Sequence, residues 1–276
     1  MTICCKGELL DLSRPRVMGI LNCTPDSFFD GGRFWDPYVA FRQAASMLEA
    51  GADIIDVGGY SSRPGAAGVA EEEELKRVLP VIEGLVEEFP GVLISVDTFR
   101  SRVAREALDA GAALVNDISA GLRDPHMLPL VAERQVPYVM MHMKGTPQTM
   151  TQFTDYDNLI TDILYYFSER LQAARLLGIT DCIVDPGFGF AKTTEQNFRL
   201  LGALKAFRTL DAPLLVGISR KSMIYKTLGV SPEQALNGTT ALHTLALEGG
   251  AGILRVHDVK QAVECIRLWE AFEQAQ

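Results

Sequence analysis

The chain reads as short apolar runs separated by longer stretches in which apolar residues recur every three or four positions. Eight runs stand out: VMGIL at 17–21, DIIDV at 53–57, VLISVD at 92–97, ALVND at 113–117, YVMMH at 138–142, CIVD at 182–185, LLVGIS at 214–219 and GILRVH at 252–257. Half-exposed strands alternate apolar and polar residues. These runs are nearly continuous instead, the pattern of parallel strands covered on both faces. Helical spacing follows at 39–48, 72–89, 102–108, 159–177, 197–207, 232–247 and 259–272, each about the length of a crossover helix. Gly51, Gly111, Gly178 and Gly250 stand just before the next run, where a helix commonly ends in a left-handed glycine.

Strand and helix units in series can close into a barrel or extend as an open doubly wound sheet, and periodicity does not separate the two. The open-sheet phosphate fingerprint GxGxxG is absent after the first run. The count of units and the length of 276 residues, near the roughly 250 of a closed barrel, favour a TIM-type (β/α)8 barrel. No linker or break in composition divides it, so 1–276 is expected to form one domain.

Composition excludes some functions. With 47% hydrophobic and 22% charged residues the chain lies well away from disorder. Its net charge of -9 opposes nonspecific binding to nucleic acid or an anionic membrane and turns attention to small molecules, leaving room for a local basic pocket. The five cysteines, Cys4, Cys5, Cys23, Cys182 and Cys265, include no C-x-x-C pair, the usage of a reducing compartment. The opening MTICCKGELLDLSRPR lacks the apolar core of a signal peptide, and no run approaches the roughly 18 apolar residues of a membrane span. A cytoplasmic protein is expected.

Each apolar run ends in a polar group: Asn22, Asp56, Asp97, Asn116, His142, Asp185, Ser219 and the pair Arg255 and His257. In a barrel these ends share the face that carries active sites. Taken singly, a strand-end Asp or Asn commonly caps the next helix, and Asp97 is the residue that reading fits best. Eight together point to a site. The segment Asp185-Pro-Gly-Phe-Gly-Phe-Ala-Lys192 can turn tightly and approach a ligand closely. Ser219-Arg220-Lys221-Ser222 is either a ligand contact or a solvated basic helix start. Arg255 and His257 share one strand face and suit an oxyanion. The loops at 22–32 and 58–66 are long, polar and rich in glycine, as lids are. The acidic run 71–74 reads as a solvated helix start, the methionines around His142 as core filling, and four histidines with none near His142 make a zinc cluster unexpected.

Together these segments resemble the dihydropteroate synthase family along the whole series of runs. The resemblance rests on Asn22-x-Thr-Pro-Asp-Ser-Phe-x-Asp-Gly-Gly32, Gly58-Gly59-x-Ser-x-Arg-Pro-Gly-Ala66, Val96-Asp97-Thr98, Asn116-Asp117 and Met141-His142-Met143-Lys144-Gly145-Thr146-Pro147. It continues through Asp185-Pro-Gly-x-Gly-Phe190, Ser219-Arg-Lys-Ser222 and Arg255-Val-His257. It implies an α/β barrel that joins 4-aminobenzoate to a dihydropterin methylene carbon with loss of diphosphate, a step of folate biosynthesis, with Mg2+ as cofactor. Sulfonamides would act as inhibitors and the chain would form a homodimer.

By the same resemblance Asp97, Asn116, Asp185, Gly217 and Lys221 would hold the pterin, with Met140 and Phe190 lining the slot and Arg255 over the ring. Asp97, Asp185, Lys221 and Arg255 would serve catalysis. Asn22, Ser61, Ser62, Arg63, Arg255 and His257 would bind diphosphate, and Asn22 and Asp56 the metal. Aminobenzoate would lie against Phe28, Ser62, Pro64, Phe190, Lys221 and Ser222. Two residues depart from the usual Glu-Ser-Thr-Arg-Pro-Gly of the second loop: Tyr60 replaces Glu, and Ser62 replaces Thr. The missing carboxylate bears on loop closure and aminobenzoate positioning more than on the pterin. Two alternatives follow: a pterin-binding methyltransferase domain, and a barrel that binds pterin without condensing it.

Overall fold

The computed structural model describes residues 1–23, 37–60 and 68–275. A short antiparallel hairpin, β1 (Thr2–Cys5) and β2 (Glu8–Asp11), precedes eight parallel strands. These are β3 (Arg16–Asn22), β4 (Ile54–Gly58), β5 (Leu93–Asp97), β6 (Leu114–Asp117), β7 (Tyr138–Met141), β8 (Cys182–Asp185), β9 (Leu215–Val216) and β10 (Ile253–Val256). Their order is β8-β7-β6-β5-β4-β3-β10-β9, and the outer two meet through a parallel bridge between Val184 and Leu214. The Val184 N–H donates to the Pro213 carbonyl at 2.9 Å across that seam. The seam decides between the two architectures: the sheet closes into a barrel.

The connecting helices are α1 (Pro37–Glu49), α2 (Glu71–Glu88), α3 (Ser101–Asp109), α4 (Met127–Arg134), α5 (Leu159–Leu176), α6 (Thr194–Gly202), α7 (Ser222–Leu228), α8 (Leu236–Glu248) and α9 (Val259–Glu273). Gly111, at φ 105°, adopts the left-handed turn that ends α3 and releases the chain into β6. Helices α4 and α7 were not among the expected stretches. The stretch at 197–207 is split, α6 giving way to a 3-10 segment, Leu204–Leu210.

Strand periodicity sorts the barrel residues into two sets. Outward residues such as Val17, Leu21, Ile55, Val57, Val96, Val115, Met140, Val184 and Val216 pack under the helices in the main core. Inward residues Met18, Ile54, Leu114, Val139, Ile183, Leu215 and Ile253 fill the lower barrel, where the hairpin adds Ile3, Cys5 and Leu12. The hairpin is therefore a plug for the N-terminal mouth, each buried side chain contributing about 1.5–3 kcal/mol. Further along β4, β5, β6, β8 and β10 the inward positions turn polar, at Asp56, Asp97, Asn116, Asp185 and Arg255. That step places the site at the C-terminal mouth.

Candidate active site

Arg255, on β10, occupies the centre of the polar layer. Its Nε donates to Asp56 Oδ2 at 2.6 Å and its Nη2 to Asp97 Oδ2 at 2.7 Å. Asn116 Nδ2 donates to the same Asp56 oxygen at 3.1 Å. Neighbouring strands β4, β5 and β6 thus deliver Asp56, Asp97 and Asn116 to one spot. Burial works against the Arg255 charge, but Asp56 and Asp97 outweigh it and raise the guanidinium pKa. Burial also raises Asp97, against the pull of Arg255. Asp97 is no helix cap: α3 has Arg100 at its N-cap and no side-chain capping bond.

Above this layer opens a cleft lined by Asp97, Asn116, Ile118, Met141, Asp185, Phe188, Phe190, Gly217, Lys221 and Arg255. Five of these residues are polar or charged and five are apolar or glycine, a mix of walls and orienting groups that suits a polar small molecule. Asp185 ends β8, is buried, and accepts the Gly187 N–H at 2.8 Å. Burial lifts its pKa, while that hydrogen bond and Lys221 draw it down. Lys221 Nζ stands 4.3 Å from the centroid of Phe190, a cation held over an aromatic face. The expected cationic run divides: Arg220 is bound bidentately by Asp258, at 2.8 and 2.7 Å, so of the two cations Lys221 is the one that lines the cleft. Ser222 opens α7 directly after Lys221.

His257 lies at the rim. Ser219 Oγ accepts the His257 backbone N–H at 3.2 Å and sits 3.1 Å from Nδ1. The hydroxyl proton can then point to Nδ1, which puts the ring proton on Nε2. Burial, then the charges of Arg255 and Lys221, lower this histidine to about 4. Asn22 ends β3, half-buried, in register with Gly58 beside Asp56.

Comparison with known proteins follows the same geometry. The model of the pterin binding enzyme family matches residues 18–257. The dihydropteroate synthase of Escherichia coli (strain K12) is 47% identical over 273 residues, 98% of this chain and 96% of that protein. The Bacillus subtilis (strain 168) synthase is 43% identical over 257 residues, 92% and 87%. The chain belongs to the dihydropteroate synthase family. Solved dihydropteroate synthases superpose throughout. The Yersinia pestis enzyme in a sulfonamide drug complex gives a TM-score of 0.93 at 45% identity, covering 99% of this chain and 100% of that one. The Xanthomonas albilineans enzyme gives 0.92 at 44% with 4-aminobenzoic acid (99% and 98%), and 0.89 at 41% with 7,8-dihydropteroate (99% and 99%). This dihydropteroate synthase chain is accordingly a transferase on a TIM barrel.

The cleft brings together seven of the residues expected for the pterin: Asp97, Asn116, Asp185, Phe190, Gly217, Lys221 and Arg255. Met140 is a correction. It is fully buried in the outer core, and Met141 lines the cleft, because successive strand residues face opposite sides. Glu74 is a second. Glu71 to Glu73 are exposed or partly exposed, as expected, but Glu74 is fully buried. It accepts from Thr98 Oγ1 at 2.7 Å and pairs with Arg100, whose Nη2 donates to the Val69 carbonyl at 2.6 Å. Tyr60 packs edge-on against Phe99, and its hydroxyl accepts from Gln148 at 2.9 Å. Phe28, Ser61, Ser62, Arg63 and Pro64 lie outside the described residues. Sequence reasoning missed Ile118, Met141 and Phe188 as cleft walls.

The donor set can be tested for a hard cation. Among the described residues no group of three or more His, Cys, Asp or Glu is placed to hold a metal. Asp56 Oδ1, however, is buried with no hydrogen-bond partner among the described residues, while Oδ2 accepts from Arg255 and Asn116. That open carboxylate oxygen, with Asn22 two positions past the register partner of Asp56 on the adjacent strand, fits a Mg2+ that takes one or two protein oxygens and completes its shell with water and phosphate.

Proposed function

We propose that this chain condenses 4-aminobenzoate with (7,8-dihydropterin-6-yl)methyl diphosphate, releasing diphosphate and forming 7,8-dihydropteroate. The observation that carries the residue assignment is the cleft, which acceptors Asp185 and Asn116 line together with donor Lys221 and apolar walls. A pterin presents amino and ring N–H donors along one edge, which need acceptors, and a carbonyl, which needs a donor. Each hydrogen bond to a charged partner contributes about 1.5–3 kcal/mol. Phe190 and Arg255 cover the ring faces, and Asp97 and Asp185 stabilise positive charge as it spreads into the ring.

Bond changes are simple. The methylene C–O bond to diphosphate breaks first, the arylamine nitrogen then bonds to that carbon, and its surplus proton passes to solvent. No covalent enzyme nucleophile is required. Asn22, Arg255 and the Nε2–H of His257 receive the leaving diphosphate, joined by Ser61, Ser62 and Arg63. Aminobenzoate lies against Phe190, Lys221 and Ser222, with Phe28, Ser62 and Pro64 completing its site. Mg2+, held by Asn22 and Asp56, would neutralise charge on the departing diphosphate. The chain works in the cytoplasm as a homodimer in this reading, and among the described residues no helix is long and apolar enough to cross a membrane.

Product formation tests the reading. Purified protein with both substrates and Mg2+ should yield dihydropteroate, and a sulfonamide should raise the apparent KM for 4-aminobenzoate without lowering the limiting rate. Inhibition insensitive to aminobenzoate would contradict the shared pocket.

A further inference from the structure

One charged side chain beside the cleft has no part in the chemistry above. Lys192 follows the turn that leaves β8, and only 8% of its surface is exposed. Its Nζ has three partners: His142 Nδ1 at 3.1 Å and the carbonyls of Gly187 and Phe190, each at 3.0 Å. Burial lowers its pKa to about 7, against the pull of Asp185; the protonated amine has three N–H donors, which this set saturates. Burial and the nearby Lys192 and Lys144 charges hold His142 neutral, which leaves Nδ1 an acceptor and puts the ring proton on Nε2.

The turn so held is demanding. Gly187, Gly189 and Ala191 all have positive φ, at 71°, 79° and 49°. A Cβ on Gly187 would lie 2.1 Å from the His142 carbonyl oxygen, so the turn runs directly against the end of β7. The His142 N–H donates to the Asp185 carbonyl at 2.9 Å at the same junction. Two cleft groups depend on where this turn sits. Asp185 is oriented by the Gly187 N–H, and Phe190, whose carbonyl Lys192 holds, supplies the wall beneath Lys221.

We propose that Lys192 is a positioning residue for pterin recognition: by tying Gly187 and Phe190 to His142 it fixes the Asp185 carboxylate and the Phe190 ring in their pterin-binding places. It touches no reacting atom. The inference rests on the reading of the cleft as the pterin site. Asn22 ends β3 and His257 follows β10, with β9 between β10 and β8 in the closed barrel, and neither residue is among the Lys192 partners, so loss of the tie should separate the two ligands.

The experiment measures dissociation constants of 6-hydroxymethylpterin and of inorganic diphosphate with Mg2+, by titration calorimetry, for wild type, Lys192→Met and Lys192→Gln. Methionine keeps the apolar length and removes all three donors; glutamine restores two. The expected result is pterin binding weakened fivefold or more in Lys192→Met and partly recovered in Lys192→Gln, with diphosphate binding within twofold of wild type. Pterin binding weakened less than fivefold, or both ligands weakened together, overturns the proposal. Should Lys192→Met fail to fold, Lys192→Gln decides on the same split, with a threshold of twofold for pterin. A wild type that does not bind the pterin at all would overturn the cleft reading itself, a distinct outcome.

Discussion

Arg255 donates to one oxygen of Asp56 at 2.6 Å, while the other oxygen of that carboxylate is buried without a hydrogen-bond partner among the described residues. A fully buried anion is thus matched by a cation on one side and left open on the other. The arrangement serves the fold and the site at once. Removing one member of a buried ion pair leaves the other uncompensated, at about 3–5 kcal/mol. Arg255→Ala should cost that much in denaturant unfolding and lower turnover at least a hundredfold. Arg255→Lys should recover part of the stability only, because an ammonium lacks the fork that reaches both Asp56 and Asp97. Wild-type stability in Arg255→Ala would show that the pair carries no weight.

Asp185 and Lys221 both line the cleft, an acceptor and a donor close enough for the lysine charge to lower the carboxyl pKa. Loss of one preorganised contact of this kind costs about two orders of magnitude in rate. Lys221→Ala and Asp185→Ala should each reduce kcat/KM by that factor or more while unfolding as wild type does. Near-normal rates in folded protein would remove either residue from the site.

Tyr60 stands where the family usually has glutamate, packed on Phe99 and accepting from Gln148. It does not line the cleft. Tyr60→Phe should lose about 0.5–1.5 kcal/mol of stability with the hydrogen bond, raise KM for aminobenzoate severalfold and leave pterin affinity within twofold. Tyr60→Glu should keep turnover within tenfold, since Arg100, 5.6 Å from the ring centroid, can pair with the new carboxylate. Pterin affinity falling in step with the aminobenzoate effect would contradict this division.

His243, on α8, is buried with Nε2 unpartnered among the described residues, and burial lowers its pKa from 6.5 to about 4. Between those values the unfolded chain binds a proton that the folded chain refuses. This residue's contribution therefore falls as pH drops from 6.5 to 4 and levels off below, by roughly 3 kcal/mol at most. His243→Leu should remove up to one proton from the pH dependence of unfolding in that window. Parallel wild-type and variant curves would contradict it.

The barrel was legible because strands covered on both faces must be apolar throughout, and their polar ends announce the mouth. The same continuity hid which residue faces inward. Tyr138 to Met141 is buried at every position, so no alternation in the sequence distinguishes Met140 from Met141. The hairpin strands have four residues each, and α4 and α7 have eight and seven, too short for a firm period. Glu74 looked like its solvated neighbours because its burial depends on Thr98 and Arg100, 24 and 26 positions away in sequence. Lys192 was visible as the end of a glycine turn, but its His142 partner, 50 positions away, comes within reach only once β7 and β8 are paired.

The most direct test of the central claim is a single-turnover measurement on wild-type protein with Mg2+, following diphosphate release and dihydropteroate formation together. The account predicts one diphosphate for each dihydropteroate formed, with both slowed together by about two orders of magnitude or more in Asp185→Ala. Tight pterin binding without diphosphate release would contradict it.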